Sequence, residues 1–156
     1  MTQGESAPAL PALVPALVPA LVLDTNAVLD WLLFQDTGMQ ALQTAIEASA
    51  VRWLSSRRMR EELLRTLHYP TLSRRQPNSE HTLALFDRWA VLCPEPEPTR
   101  TGHFVCSDPD DQVFIDLALA HRARWLITHD RALHKLSRRA ALEGLSVLKP
   151  KDWPGP

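Results

Sequence analysis

The chain is poor in cysteine, which limits the kinds of site that it can form. Cys93 and Cys106 are its two cysteines among 156 residues, too few for a disulfide framework. With His103 they make three candidate zinc ligands, but their spacing fits no standard zinc motif and a fourth ligand is missing. The sequence therefore predicts neither a disulfide nor a structural zinc site.

The sequence also lacks a long apolar span and the charged-then-apolar segment that is typical of a secretion signal. Together with the scarcity of cysteine, this predicts a reducing, cytoplasmic location and no membrane partner. Hydrophobic residues make up 45% and charged residues 22% of the chain, which is ordinary for a globular protein. Its length suits one compact domain with a real core.

A general excess of positive charge is missing too, because the formal net charge is −1. A nucleic acid would therefore have to be held by a local basic patch. Residues 52–75 offer one, with seven arginines against two glutamates. Within it we predict that Arg57, Arg58 and Arg60 contact the phosphates of such a nucleic acid; the alternative, a solvated helix face, is equally compatible with the spacing.

Proline is plentiful near the start of the chain, where Pro-Ala-Leu-Val occurs three times, at 11–14, 15–18 and 19–22. Each proline lacks a backbone donor and fixes φ, so this run forms neither a helix nor a central strand. Only the last copy leads into Leu23 and Asp24. We therefore predict a flexible proline-rich tail over residues 1–18 and a single domain over residues 19–156.

Deleting Met1 to Val18 should leave folding and activity intact, because the repeat cannot supply a central strand. Thermal melting of the shortened chain checks this. A large loss of thermal stability would show that the tail packs on the domain.

From residue 20 onward, short apolar runs alternate with helical patterns, which is typical of an α/β fold with a mostly parallel sheet. Strands are predicted at residues 21–24, 51–55, 125–128 and 146–148, with a weaker one at 90–92. Helices are predicted at residues 27–34, 39–48, 57–68, 79–89, 110–122 and 132–142. Residues 71–78 are predicted to be a connection.

Several acids stand where these predicted strands end or where helices begin. Asp24 follows the first strand, Asp130 follows the strand at 125–128, and Asp108 and Asp111 lie at a helix start. In parallel sheets, the loops after the strands converge on one edge. Each acid alone is explained as a helix cap, but several together repel one another unless a cation lies among them. Hard divalent cations prefer such oxygen ligands.

Helical geometry separates acids that occur in pairs. Phe114, Ile115 and Ala118 lie within about 60° of Asp111 on a helix, whereas Asp116 lies about 140° away. Asp111 is therefore predicted to face the core and Asp116 the solvent. In the same way, Glu62 lies beside the apolar stripe of its helix and can reach the sheet edge, whereas Glu61 points away.

Four motifs, in this order, resemble the PIN domain family, in particular the bacterial branch of toxins from toxin-antitoxin systems. The likeness covers residues 21 to about 153. The motifs are Leu-Val-Leu-Asp-Thr-Asn at 21–26, Ser56 with Glu62-Leu63 and Leu-His-Tyr-Pro at 67–70, Cys-Ser-Asp-Pro-Asp-Asp at 106–111, and Leu-Ile-Thr-His-Asp at 126–130.

The resemblance implies a three-layer α/β/α fold with about five strands, and an RNA-cleaving site that binds Mg²⁺ or Mn²⁺. It implies Asp24, Glu62, Asp111 and Asp130 as catalytic metal ligands, with Asp108 as a further ligand. Asn26 and Thr128 occupy supporting positions. It also admits a cognate antitoxin protein and a homodimer as partners. His129, where the branch often has a small residue, and the proline-rich tail depart from the family pattern.

Two other interpretations remain open. An apolar strand ending in Asp24 resembles the aspartate-nucleophile phosphatases, but their second acid, two residues on, is Asn26 here. Alternatively, the domain is a non-catalytic PIN-like module that binds RNA or a protein. Cleavage with added Mn²⁺ separates this module from a nuclease.

Overall fold

The computed structural model describes residues 18–75 and 77–156. The predicted tail at residues 1–18 thus lies outside the described residues except for Val18, and its boundary stays a prediction. The described residues form five strands, β1 (Ala20–Leu23), β2 (Arg52–Ser55), β3 (Ala90–Leu92), β4 (Trp125–Ile127) and β5 (Ser146–Leu148). The same residues form eight α-helices, α1 (Thr25–Leu32), α2 (Gln40–Glu47), α3 (Arg57–Leu67), α4 (Pro70–Ser73), α5 (Ser79–Trp89), α6 (Gln112–Ala120), α7 (Arg131–His134) and α8 (Ser137–Leu142).

The five strands form one parallel sheet in the order β3-β2-β1-β4-β5. The predicted α/β class and strand positions are therefore confirmed, including the weak strand β3. In the register, Leu21 lies opposite both Trp53 and Trp125. The chain first builds the sheet outward from β1 through β2 to β3, and then crosses back to place β4 on the other side of β1. The carboxyl ends of β1 and β4 therefore meet at a switch point, where α/β proteins commonly bind ligands.

Alternating residues of β1 face two separate hydrophobic cores. Leu21 and Leu23 pack into one core with residues of α1, α2 and α5. Ala20 and Val22 pack into the other with residues of α6 and α8. Since successive side chains of a strand point to opposite faces, both faces of the central strand are covered. The fold has three layers, α/β/α, as predicted.

Two helical segments differ from the prediction. The expected helix at 132–142 is two helices, α7 and α8, because Leu136 N bonds to Leu133 O at 3.0 Å and tightens the chain there. This turn lets both leucines reach the same core. Residues 71–78 also hold more than a connection, since α4 begins at Pro70, a residue suited to the first helical turn.

None of the helices in the described part of the chain has the length and apolarity needed to cross a lipid bilayer.

Candidate metal centre

Asp24 lies directly after β1 and is buried. Its Oδ1 accepts a hydrogen bond from Ala27 N at 2.8 Å and so caps α1. Its Oδ2 accepts a hydrogen bond from Thr128 Oγ1 at 2.5 Å. Burial raises the pKa of Asp24, and the hydrogen bonds from Thr128 and Ala27 partly oppose this effect. Asp24 is thus held in one orientation at the switch point.

Thr128 links the end of β4 to two of the predicted metal ligands. Its hydroxyl donates to Asp24 and accepts a hydrogen bond from Asp130 N at 2.9 Å. His134 Nε2 lies 2.7 Å from the carbonyl oxygen of Thr128 and ties α7 to this turn. Because Thr128 is fully buried, it fixes the relative positions of Asp24 and Asp130.

Three carboxylates converge beside this turn. One oxygen atom from each of Asp108, Asp111 and Asp130 lies within 4.8 Å of the others. Asp108 Oδ1 accepts from Asp110 N at 3.0 Å, at the start of the 3-10 turn Pro109–Asp111. Asp130 Oδ1 accepts from Ala132 N at 2.8 Å and caps α7. Two of the three acids are therefore oriented by local caps.

Asp111 is the least satisfied of these acids. Its Oδ2 is buried and has no hydrogen-bond donor among the described residues. Burial, followed by the adjacent Asp130 carboxyl group, raises the pKa of Asp111 to about 8, and Asp108 and Asp24 act in the same direction. A buried oxygen without a donor destabilises the folded chain. A proton or a cation at this oxygen would relieve the cost.

These residues fit a hard divalent cation. The converging donors are all carboxylate oxygens, which Mg²⁺ and Mn²⁺ prefer over nitrogen and sulfur donors. The buried Oδ2 of Asp111 is an acceptor that no donor in residues 18–75 or 77–156 uses. Asp108, Asp111 and Asp130 would hold the ion most directly.

The four predicted catalytic acids and Asn26 line one cavity of about 420 Å³, which we call the acidic cavity. Glu62 lies at its side, with a side chain 37% exposed and an oxygen 3.4 Å from Arg65 Nη2. Neither Glu62 nor Asp24 belongs to the close three-acid group, whereas Asp108, predicted as a further ligand, does. The remaining lining residues are Thr25, Leu29, Phe34, Thr66, Tyr69, Thr71, Leu72, Asp110 and Phe114.

Most of these remaining lining residues were not predicted from the sequence. Thr66 had a detectable signal, since it follows Glu62 by one helical turn and therefore shares its face. Phe34 ends the predicted helix at 27–34 and Tyr69 belongs to the motif at 67–70, but no pattern in the sequence places either ring at the cavity. Asp110 lies beside Asp111 but is exposed.

The three arginines predicted to bind RNA lie outside the lining of this cavity. Arg57 and Arg58 are exposed at the start of α3, where Glu95 Oε1 accepts a hydrogen bond from Arg58 N at 3.0 Å. The Arg60 guanidinium binds both carboxylate oxygens of Asp87, at 2.7 and 2.8 Å. Their role in RNA binding stays a prediction.

The prediction for Asp116 is wrong. It was expected to face solvent, but it is 6% exposed. Its oxygens accept hydrogen bonds from Thr99 N and Gln112 Nε2, both at 3.0 Å. The helix angle was sound, but the chain between β3 and α6 folds over the side of α6 that would otherwise meet water. Asp116 therefore binds this loop to α6 and takes no part in the acidic cavity.

The raised pKa of Asp111 predicts how stability depends on pH without metal. In the unfolded chain this carboxyl group has its ordinary value of 3.8, and in the folded chain about 8. Between these values the folded state holds a proton that the unfolded state releases, so stability falls as pH rises from about 4 to about 8. Urea unfolding of chelated protein should show this decline, and it should be weaker for Asp111→Asn. Parallel pH profiles for the two proteins would contradict the prediction.

A family model described as a PIN domain matches residues 20–132, more than half of the chain. No curated protein matches the chain significantly. The matched segment begins with β1 and ends in α7, so it includes Asp24, Glu62, Asp111 and Asp130. The chain therefore belongs to the PIN domain family.

Proposed function

We propose that the protein is a ribonuclease that hydrolyses RNA phosphodiester bonds with Mg²⁺ or Mn²⁺ at the acidic cavity. One observation carries the proposal, the convergence of carboxylate oxygens from Asp108, Asp111 and Asp130, with Asp111 Oδ2 buried and without a donor among the described residues. Family membership supports it, because PIN domains are generally metal-dependent nucleases. The proposed catalytic acids are Asp24, Glu62, Asp111 and Asp130, with Asp108 as a further metal ligand.

Phosphodiester hydrolysis needs an activated water and a leaving oxygen whose charge is neutralised, and a bound divalent cation supplies both. The chain's own residues orient the site for this. Thr128 donates a hydrogen bond to Asp24 and accepts one from the Asp130 backbone N–H. Asn26, exposed in the cavity lining, provides an amide that can bind a phosphate or water near Asp24.

The direct test incubates the purified full chain with labelled total RNA, with and without Mn²⁺ and a chelator. We expect cleavage that requires Mn²⁺ and stops on chelation. Binding of RNA without cleavage would favour the non-catalytic PIN-like module instead. Cleavage that continues unchanged in chelator would contradict the metal site.

We further propose that Arg57, Arg58 and Arg60 bind phosphates that flank the cleavage site. Changing all three to Ala should weaken RNA binding. It should also make the slope of log binding constant against log salt concentration shallower by about 0.7 for each lost phosphate contact. Metal affinity should stay nearly unchanged, because these side chains do not line the acidic cavity. RNA titrations at several salt concentrations provide the measurement.

A charge-matched control replaces Lys135, Arg138 and Lys151, which are exposed and also outside the cavity lining. If both triple variants bind RNA with the same salt slope, the arginines are only a solvated helix face. Because Arg60 also pairs with Asp87, folding of the first variant should be checked by thermal melting.

The biological setting that we propose is the toxin of a toxin-antitoxin pair, with a cognate antitoxin and a homodimer as partners. The sequence likeness to the bacterial toxin branch supports it. We also propose that the domain runs over residues 19–156, since β5, outside the matched segment, pairs with β4. Induced expression should arrest growth with the native chain but not with Asp111→Asn.

A further inference from the structure

Two exposed aromatic side chains lie at the acidic cavity. Phe34 is 39% exposed and Tyr69 is 51% exposed, and both line the cavity. The other large hydrophobic side chains that are exposed in the described part of the chain are aliphatic and lie outside its lining, namely Val91, Leu92, Val105 and Leu142. The aromatic exposure is therefore concentrated at the proposed site.

Each ring projects from a backbone position that is fixed by hydrogen bonds. Phe34 N donates to Leu29 O at 2.9 Å, just after α1. Tyr69 N donates to Thr66 O at 3.1 Å, between α3 and α4. Both residues are thus anchored to helices that also contribute Leu29 and Thr66 to the cavity lining. Since an aromatic side chain has only two rotatable χ angles, such a ring can bind a flat partner with little loss of conformational entropy.

Positive charge accompanies one of the rings. The Arg75 guanidinium carbon lies 5.0 Å from the centre of the Phe34 ring, within the range of a cation–π contact. Arg74 and Arg75 are both exposed. An aromatic face and a nearby cation are the two groups that bind a base and its phosphate in single-stranded nucleic acids.

We propose that Phe34 and Tyr69 stack on nucleobases of the RNA that occupies the site. This rests on the proposed ribonuclease function and adds two base-contacting residues to it. Bases inside a duplex are stacked on their neighbours, whereas bases of single strands and loops can stack on aromatic side chains. The acidic cavity, at about 420 Å³, has the size of pockets that bind small organic groups.

Stacking makes a prediction about which polymer binds. We expect the Asp111→Asn variant to bind RNA without cutting it. A labelled RNA strand of eight adenosine nucleotides should bind this variant more tightly than an abasic strand of equal length. It should also bind more tightly than an eight-base-pair RNA duplex. The preference should be on the order of tenfold, since each stacked base contributes strongly to binding. Fluorescence anisotropy measures all three ligands.

Substitutions at the two rings then assign the preference. Phe34→Leu and Tyr69→Leu keep an apolar side chain but remove the aromatic face, and each should remove most of the preference for the base-bearing strand. Tyr69→Phe should keep it, because the ring remains. Leu142→Ala, an exposed apolar change outside the cavity, is the control. Thermal melting confirms that each variant is folded.

The outcomes separate this proposal from the nuclease proposal. Equal binding of abasic and base-bearing strands, no measurable binding of either strand, or an undiminished preference in both Leu variants overturns the stacking role. Hydrolysis of bis-p-nitrophenyl phosphate, which has no nucleobase, tests the metal site of the native chain separately. Mn²⁺-dependent hydrolysis without a base preference would support the nuclease proposal and reject the stacking role of Phe34 and Tyr69. A base preference without Mn²⁺-dependent cleavage of this ester or of RNA would support the stacking role and reject the nuclease proposal.

Discussion

Replacing Asp111 by Asn should lower Mn²⁺-dependent RNA cleavage by at least about 100-fold, since even residues that only support metal ligands are worth 10- to 100-fold. The change keeps the size of the side chain and removes its charge. Asp111 is expected to have the largest effect because it belongs to the close three-acid group and its buried Oδ2 has no donor among the described residues. Initial cleavage rates of a labelled RNA at several concentrations give the change in kcat/KM.

The same variant should remain folded and melt at a higher temperature than the native chain in chelator at pH 8. Burial, followed by repulsion from Asp130 and Asp108, raises the pKa of Asp111, and the neutral amide removes both of these costs. Added Mn²⁺ should raise the melting temperature of the native chain more than that of the variant, because it binds only the folded site. Asp152→Asn, at an exposed position outside the cavity, is a matched control. Similar loss of cleavage in both variants would reject a specific role for Asp111.

Glu62→Gln should lower cleavage by at least about tenfold if the carboxylate binds or orients the metal, whereas Glu61→Gln should leave it unchanged. The two residues are neighbours on α3 with the same chemistry, but only Glu62 lines the acidic cavity. Glu61 is exposed. Because the chemical change is the same, a difference in cleavage rate between the two variants reports the effect of the residue's position in the structure.

Stability should not confuse this comparison. The Glu62 carboxylate pairs with Arg65 at 3.4 Å on a half-exposed helix face, and such surface pairs contribute about 0–1 kcal/mol. Both variants should therefore melt close to the native chain. Equal activity of the two would remove Glu62 from the site and leave the three close acids with Asp24.

Asp116 is unsuitable as a control for Asp111, although helix geometry alone favoured it. Its carboxylate is buried and binds Thr99 N, 17 residues earlier in the chain. Helical periodicity tells which residues share a face, but it does not tell what lies against that face. The loop that covers Asp116 has no periodic pattern, so sequence reasoning could not place it.

The site was predictable to the extent that it depends on strand ends. Asp24 and Asp130 follow apolar strands, and parallel packing brings such positions to one edge. The close grouping of Asp108 with Asp111 and Asp130 was less accessible, because it depends on how the 3-10 turn at Pro109–Asp111 meets the β4–α7 turn. The same is true of Phe34 and Arg75, which lie 41 positions apart in the sequence and form a cation–π contact.

The sequence by itself determined the α/β class, the positions of the strands and the local caps that orient Asp24, Asp108 and Asp130, since these follow from apolar runs and from short-range hydrogen bonding. The tertiary structure decided which acids share a cavity, which aromatic rings border it, and which acid is buried elsewhere as a structural link. The physical reason is that burial and repulsion among carboxylates arise from groups distant in sequence, and only the crossing of the chain over β1 brings those groups together.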